Sequence, residues 1–278
     1  MTVPKPFVET VKSYIDDVQL SLPLFDPVAM RVQMELIKKE PDVRKVEKII
    51  VSDQALSSNV LKVANSSRFS GLVKTTTVRS AIVRLGLTEI GNIVLLDLHR
   101  KHYLTKIPEY QGIMKELWQH SVGCAFVSGW LSRRLDFGVM QNEAFFAGLF
   151  HDVGKLYILA ILEQEHSRGR SKNVHKGLLL GTMNLLHQEA GTKFMHQLGL
   201  SETGCYIAGH HHDKEFDKDN YLLVLVRMAN RICHKMGIGL KKEEDLDVLA
   251  LDEAQQLGLT PEDFDEIVLF LESTPSLV

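Results

Sequence analysis

Apolar residues recur along much of this chain every three to four positions, the spacing of one face of a helix. Val43, Val46, Ile49 and Ile50 form the first clear set, and Pro41-Asp42 just before them marks a helix start. Asp53 is placed to cap the next helix, whose apolar positions include Leu56, Val60 and Leu61. Thr77 precedes a third set, Val78, Ile82 and Leu85, and Gly86 follows as its C-terminal stop. Thr88 opens a further run with Ile90, Ile93, Val94 and Leu98. No convincing run of alternating apolar and polar residues argues for strands. The pattern predicts an all-α, multi-helical fold.

Lys106-Ile-Pro-Glu-Tyr-Gln-Gly112 interrupts the periodicity and is the best internal boundary. Short helices are expected before it. After it a long helix is expected over about 113–134, carrying Ile113, Leu117, Cys124, Val127 and Leu131. The segment 141–153 is apolar all round, with Phe145, Phe146, Leu149 and Phe150, so it is expected to be a central helix. His166 to Lys176 is polar and contains glycine, hence a loop. Thr260-Pro-Glu-Asp-Phe264 combines a cap, a proline at the first helical position and acids in the first turn. The expected organisation is a helical lobe over 12–110, a second lobe over 111–238 and an acidic helical extension over 239–278.

Composition narrows the class. The chain has 278 residues, 45% apolar and 24% charged, enough for a substantial core and ordinary for a soluble globular protein. It has no uninterrupted apolar stretch of membrane-spanning length, and its start lacks the layout of a signal peptide. Cys124, Cys205 and Cys233 show no CxxC spacing, which argues against a disulfide framework or zinc knuckle. A cytoplasmic setting without a membrane partner is expected. The net charge of −3 does not suggest a nucleic-acid partner. The charge is unevenly spread, however. Lys62, Arg68, Lys74, Arg79 and Arg84 lie in an acid-free stretch, and the chain beyond Glu243 is acidic without a basic residue, so the two are a candidate docking pair.

The candidate chemistry is a histidine series. Glu116 and His120 are four apart on one helix and project from one face, so they can share an ion. His151 and Asp152 are adjacent in Leu-Phe-His-Asp-Val-Gly-Lys155. Adjacent helical residues diverge, so they suit two metals, or a helix end loosened at Gly154. Lys155 is placed to meet a phosphate oxygen or a ligand carboxylate. His187 and His210-His211-His212 add imidazoles from later helices. One or two ions of Fe, Mn, Zn or Ni fit such a set better than Mg or Ca. A pair of them can clamp a phosphoryl group for in-line hydrolysis. His99, His102, His166, His175, His196 and His234 read as ordinary histidines, and Cys124 and Cys205 as small core residues.

Leu117-Trp-Gln-His-Ser121 followed by Ala147-Gly-Leu-Phe-His-Asp-Val-Gly-Lys155 resembles the HD superfamily of metal-dependent phosphohydrolases. More narrowly, the chain from about 20 to 235 resembles the HDOD domain, the HD-related output domain of bacterial signalling proteins. Leu22-Pro-Leu-Phe-Asp-Pro-Val-Ala29, Ile49-Ile-Val-Ser-Asp-Gln-Ala-Leu56, Leu61-Lys-Val-Ala-Asn-Ser66 and Ser80-Ala-Ile-Val-Arg-Leu-Gly-Leu87 carry that resemblance. It implies an all-helical fold and a regulatory role. By resemblance to relatives that hydrolyse cyclic dinucleotides, the metal ligands fall on Glu116, His120, His151, Asp152, His187, His211 and His212. Asp152 and Lys155 are the implied catalytic pair.

Two departures shape the expectation. No Gly-Tyr-Pro follows the histidine triplet, and Asn230 stands where HD enzymes carry an aspartate. The sequence therefore implies a bacterial signal-transduction module that binds a protein partner or a nucleotide around a degenerate or structural metal site. The alternative is a phosphohydrolase acting on a nucleotide or cyclic dinucleotide.

Overall fold

A computed structural model describes residues 5–16, 26–36, 38–66, 69, 73–136, 141–169 and 174–274. Residues 22–25 of the family-like opening segment, Arg68 of the basic stretch and 170–173 of the polar loop lie outside them. The described residues are mostly helical, and no strand occurs among them. The chain divides into two compact units, Pro23–His102 and a larger one made of Met1–Leu22 with Tyr103–Val278.

Helix α1 (Lys5–Asp16) belongs to the larger unit. The smaller unit holds α2 (Pro27–Leu36), α3 (Val43–Val51), α4 (Gln54–Ala64), α5 (Val78–Leu85) and α6 (Leu87–Arg100). Their starts are written locally. Asp42 accepts from the Arg44 and Lys45 N–H groups, and Asp53 accepts from that of Leu56. Thr77 and Ser80 form a reciprocal capping box. Gly86, at φ +84°, ends α5 and leads directly into α6, so α6 begins one residue before Thr88. Val46, Ile50, Leu56, Val60, Ile82, Ile90 and Val94 are buried, whereas Val43 faces solvent.

The larger unit continues with α7 (Pro108–Arg134), α8 (Gln141–Phe150), α9 (Val153–Ser167), α10 (Lys176–Gln197), α11 (Glu202–His210), α12 (Tyr221–Lys235), α13 (Asp252–Leu257) and α14 (Pro261–Glu272). The long helix starts earlier than its apolar pattern predicts. Pro108 opens it, and Glu109, Gln111 and Gly112 occupy its solvent face. The interruption read in Lys106–Gly112 is thus largely a helix start.

Residues Gln141–Ser167 are apolar enough to cross a membrane by composition, but 89% of their most apolar window is buried inside the protein. They are core helices α8 and α9, separated by a turn at His151-Asp152. Two glycines bring the neighbours of this pair close. A Cβ on Gly148 would lie 2.5 Å from the Cys124 carbonyl oxygen of α7. A Cβ on Gly154 would lie 1.9 Å from the His187 carbonyl oxygen of α10.

The acidic C-terminal segment packs within its own unit. Val248, Ala254, Leu257, Ile267 and Leu271 join a core cluster with Val127, Leu131, Leu225 and Ile232. Its acids meet local cations: Glu253 with Arg227 at 2.9 Å, Asp263 with Arg134 at 2.8 Å and Asp252 with Lys218 at 2.7 Å. Arg79 of the basic stretch is bound at 2.6 Å by Glu47 in the smaller unit.

Candidate metal centre

The break between α8 and α9 places Asp152 at the centre of a ring of imidazoles. Its backbone, at φ −100° and ψ 13°, has left the helix, so His151 and Asp152 both turn toward the same interior point. Gly154 is helical and serves the close approach of α9 to α10, not a loosening of the helix end. That approach brings His187 to the carboxylate. α11 ends at His210 and hands His211 and His212 to the same place.

The distances are uniform. Asp152 Oδ1 is 3.4 Å from His187 Nε2 and 3.4 Å from His211 Nε2. Asp152 Oδ2 is 3.5 Å from His120 Nε2 and 3.7 Å from His151 Nε2. His212 joins on the solvent side: Asp152, His187, His211 and His212 each offer a donor atom within 4.8 Å of the others. His120, His151 and Asp152 converge in the same way.

Hydrogen bonding fixes the tautomers. The Nδ1 of His120 lies 3.0 Å from the Ile238 carbonyl, and that of His151 lies 2.8 Å from the Gly148 carbonyl. His187 Nδ1 is 3.1 Å from the Met183 and Asn184 carbonyls, and His211 Nδ1 is 3.1 Å from those of Ile207 and Ala208. A carbonyl can only accept, so every Nδ1 is the protonated nitrogen. Burial pushes His120 and His151 down, and His187 down to about 4, which keeps these rings neutral. Burial alone would raise Asp152. Lys155, then His151, overcome it and hold the carboxyl well below the usual range. Lys155 Nζ donates to Asp152 Oδ2 at 2.6 Å.

Lone pairs therefore face lone pairs. The Nε2 atoms of His151, His187 and His211 and the Oδ1 of Asp152 are buried without a hydrogen-bond partner. Such orphans are costly unless a cation joins them. Bonds of about 2.0–2.2 Å to a tetrahedral ion set N and O ligands about 3.4 Å apart, the spacing seen around Asp152. The imidazole-rich donor set fits a divalent transition ion.

Not every candidate residue joins this ring. Glu116 is half-buried on α7, and the convergent groups among the described residues do not include it. His210 turns away and pairs with Asp213 at 2.7 Å. Asn230 is buried on α12, and its Oδ1 has no hydrogen-bond partner. One residue read as ordinary belongs to the site: His234 lines the pocket and stacks on His120, 5.3 Å between centroids at 14°. The four-residue step from Asn230 to His234, the same as from Glu116 to His120, was the available signal.

A pocket of about 480 Å³ opens on this centre, within the range of small-molecule sites. His120, Asp152, Lys155, His187, His212 and Lys241 are among its walls. Arg227 braces the far side. It donates to the His211 carbonyl at 3.0 Å and the Asp213 carbonyl at 2.8 Å, and its Nε donates to Glu253 at 2.9 Å.

Fold and site together define an all-helical protein with a buried histidine–carboxylate cradle. The chain belongs to the HDOD domain family, whose model matches residues 22–214. An HDOD domain protein of unknown function from Geobacter sulfurreducens is similar in fold. Its TM-score is 0.71 at 20% identity, covering 96% of this chain and 95% of that one. A Shewanella amazonensis SB2B protein, provisionally described as a metal-dependent phosphohydrolase, gives 0.72 at 20%, covering 98% and 94%. A Marinobacter aquaeolei VT8 protein, provisionally described as a signal transduction protein, gives 0.68 at 19%, covering 99% and 66%. No curated protein matches the sequence.

Proposed function

We propose that this protein is a regulatory HDOD module of bacterial signal transduction. It holds one divalent transition ion on Asp152, His187, His211 and His212, and takes a phosphate-bearing ligand of the nucleotide class in the pocket beside it. The observation that carries this reading is the charge of the cradle. Asp152 is its one carboxylate among the described residues, and the Lys155 ammonium already sits on it at 2.6 Å. Neutral imidazoles supply the remaining donors. Such a set balances a single di-cation poorly and a close pair of them worse. Asn230 adds no charge. This favours binding over hydrolysis by two ions.

The ion supplies positive charge to a phosphoryl oxygen. The protein's own groups do the rest. Lys155 and Lys241 present ammonium groups to the pocket, and the Nδ1–H bonds to backbone carbonyls keep the imidazole rings from turning. The second reading, a phosphohydrolase, draws support from Lys155, which a phosphoryl group can engage in competition with Asp152.

Metal analysis of the purified full chain tests the proposal, together with turnover of a phosphodiester and phosphomonoester panel. One equivalent of a divalent transition metal is expected to depend on Asp152, its affinity falling at least ~100-fold in Asp152→Asn, more than outer ligand-shell changes cost. No turnover above the Asp152→Asn background is expected. Metal-replete protein that cleaves a diester and loses this activity in Asp152→Asn would move the assignment to the hydrolase. Absence of stoichiometric metal under replete conditions would remove the cradle reading altogether.

A further inference from the structure

A second group of donors stands behind His120. Cys124 lies one turn further along α7 on the same face, and Cys233 comes across from α12. Both cysteines are free and fully buried. The donor atoms of His120, Cys124 and Cys233 all lie within 4.8 Å of one another. We propose that these three residues form a second metal position, softer than the Asp152 cradle, that takes a thiophilic divalent ion such as zinc. The proposal goes beyond the cradle reading and takes none of the four ligands assigned to that ion.

Three features support it. The first is spacing. His120 Nε2 is 3.6 Å from Cys124 Sγ. Zn–N and Zn–S bonds of about 2.0 and 2.3 Å in a tetrahedral site put N and S about 3.5 Å apart. The second is the tautomer: His120 Nδ1–H donates to the Ile238 carbonyl, so the Nε2 lone pair faces Cys124 Sγ, where an ion replacing the thiol proton would find it. The third is charge. Binding releases two thiol protons to solvent, and a di-cation with two thiolates and a neutral imidazole carries no net charge. A fully buried position demands that neutrality. Asn230, one turn earlier on α12, preserves it where a carboxylate would add a negative charge.

Cobalt(II) titration of the chelator-stripped full chain reads the position directly, because thiolate ligation produces a near-ultraviolet charge-transfer band that nitrogen and oxygen ligands do not. The band is expected in the wild type and in His187→Ala, and is expected to vanish in Cys124→Ala and Cys233→Ala. Cobalt bound by the wild type without this band overturns the proposal while leaving the Asp152 cradle intact. No cobalt bound at all overturns both. If a cysteine variant fails to fold, the wild-type spectrum alone still decides.

Discussion

Glu35 shows how this protein manages a buried charge. Its side chain is 2% exposed, with Lys38 and Lys45 each 2.7 Å away, and it accepts from the Asp42 N–H at 3.2 Å. Lys38 first, then Lys45, draw the carboxyl from an ordinary 4.5 to about 2. The folded state therefore binds fewer protons than the unfolded one in that window. The stabilisation is complete above about 4.5 and is lost as pH falls toward 2. Thermal melting of Glu35→Gln against wild type is expected to show a deficit at neutral pH that closes in acid. A gap unchanged near pH 2 contradicts this assignment. At the cradle, residue identities were legible: His151, Asp152, His187, His211 and His212 were readable as candidates from residue type and motif. The placement of Glu116 and His234 is not legible in the same way, because a four-residue step states that two side chains share a face but not where that face points. α7 is buried on most sides, which blurs the distinction further.

The same limit applies to elements. Helix starts at Asp42, Asp53, Thr77 and Thr260 were legible because a cap is a contact within three residues. The approach of α9 to α10 was not, since the reason for Gly154 is a carbonyl at His187, more than thirty residues away. Its consequence is testable. Gly154→Ala must push a helix end away from backbone that cannot rotate aside. A loss of about 1–3 kcal/mol in stability is expected by denaturant unfolding. Transition-metal affinity is expected to fall with it, because His187 moves away from Asp152. Gly112→Ala, exposed on α7 with open space around its Cβ, serves as the control and is expected to leave metal affinity unchanged and to raise stability by about 0.5–1 kcal/mol.

For the whole molecule, the C-terminal segment is part of the core of its unit, not an appendage. Its sequence announced helices and acidity but not their cover, because Ala254, Leu257, Ile267 and Leu271 find their partners on α7 and α12, far back in the chain. Ending the chain after Lys242 uncovers that cluster. Burial of the three larger side chains alone is worth roughly 5 kcal/mol or more. The shortened chain is expected to melt much lower or to be recovered insoluble. A soluble product with an unchanged melting temperature contradicts that packing.

Arg227 gives this arrangement a further meaning. One guanidinium grips the carbonyls beside the cradle imidazoles and, through its other edge, Glu253 on α13. The tail and the cradle thus share one structural member, and the backbone that carries His211 is held in place partly from α13.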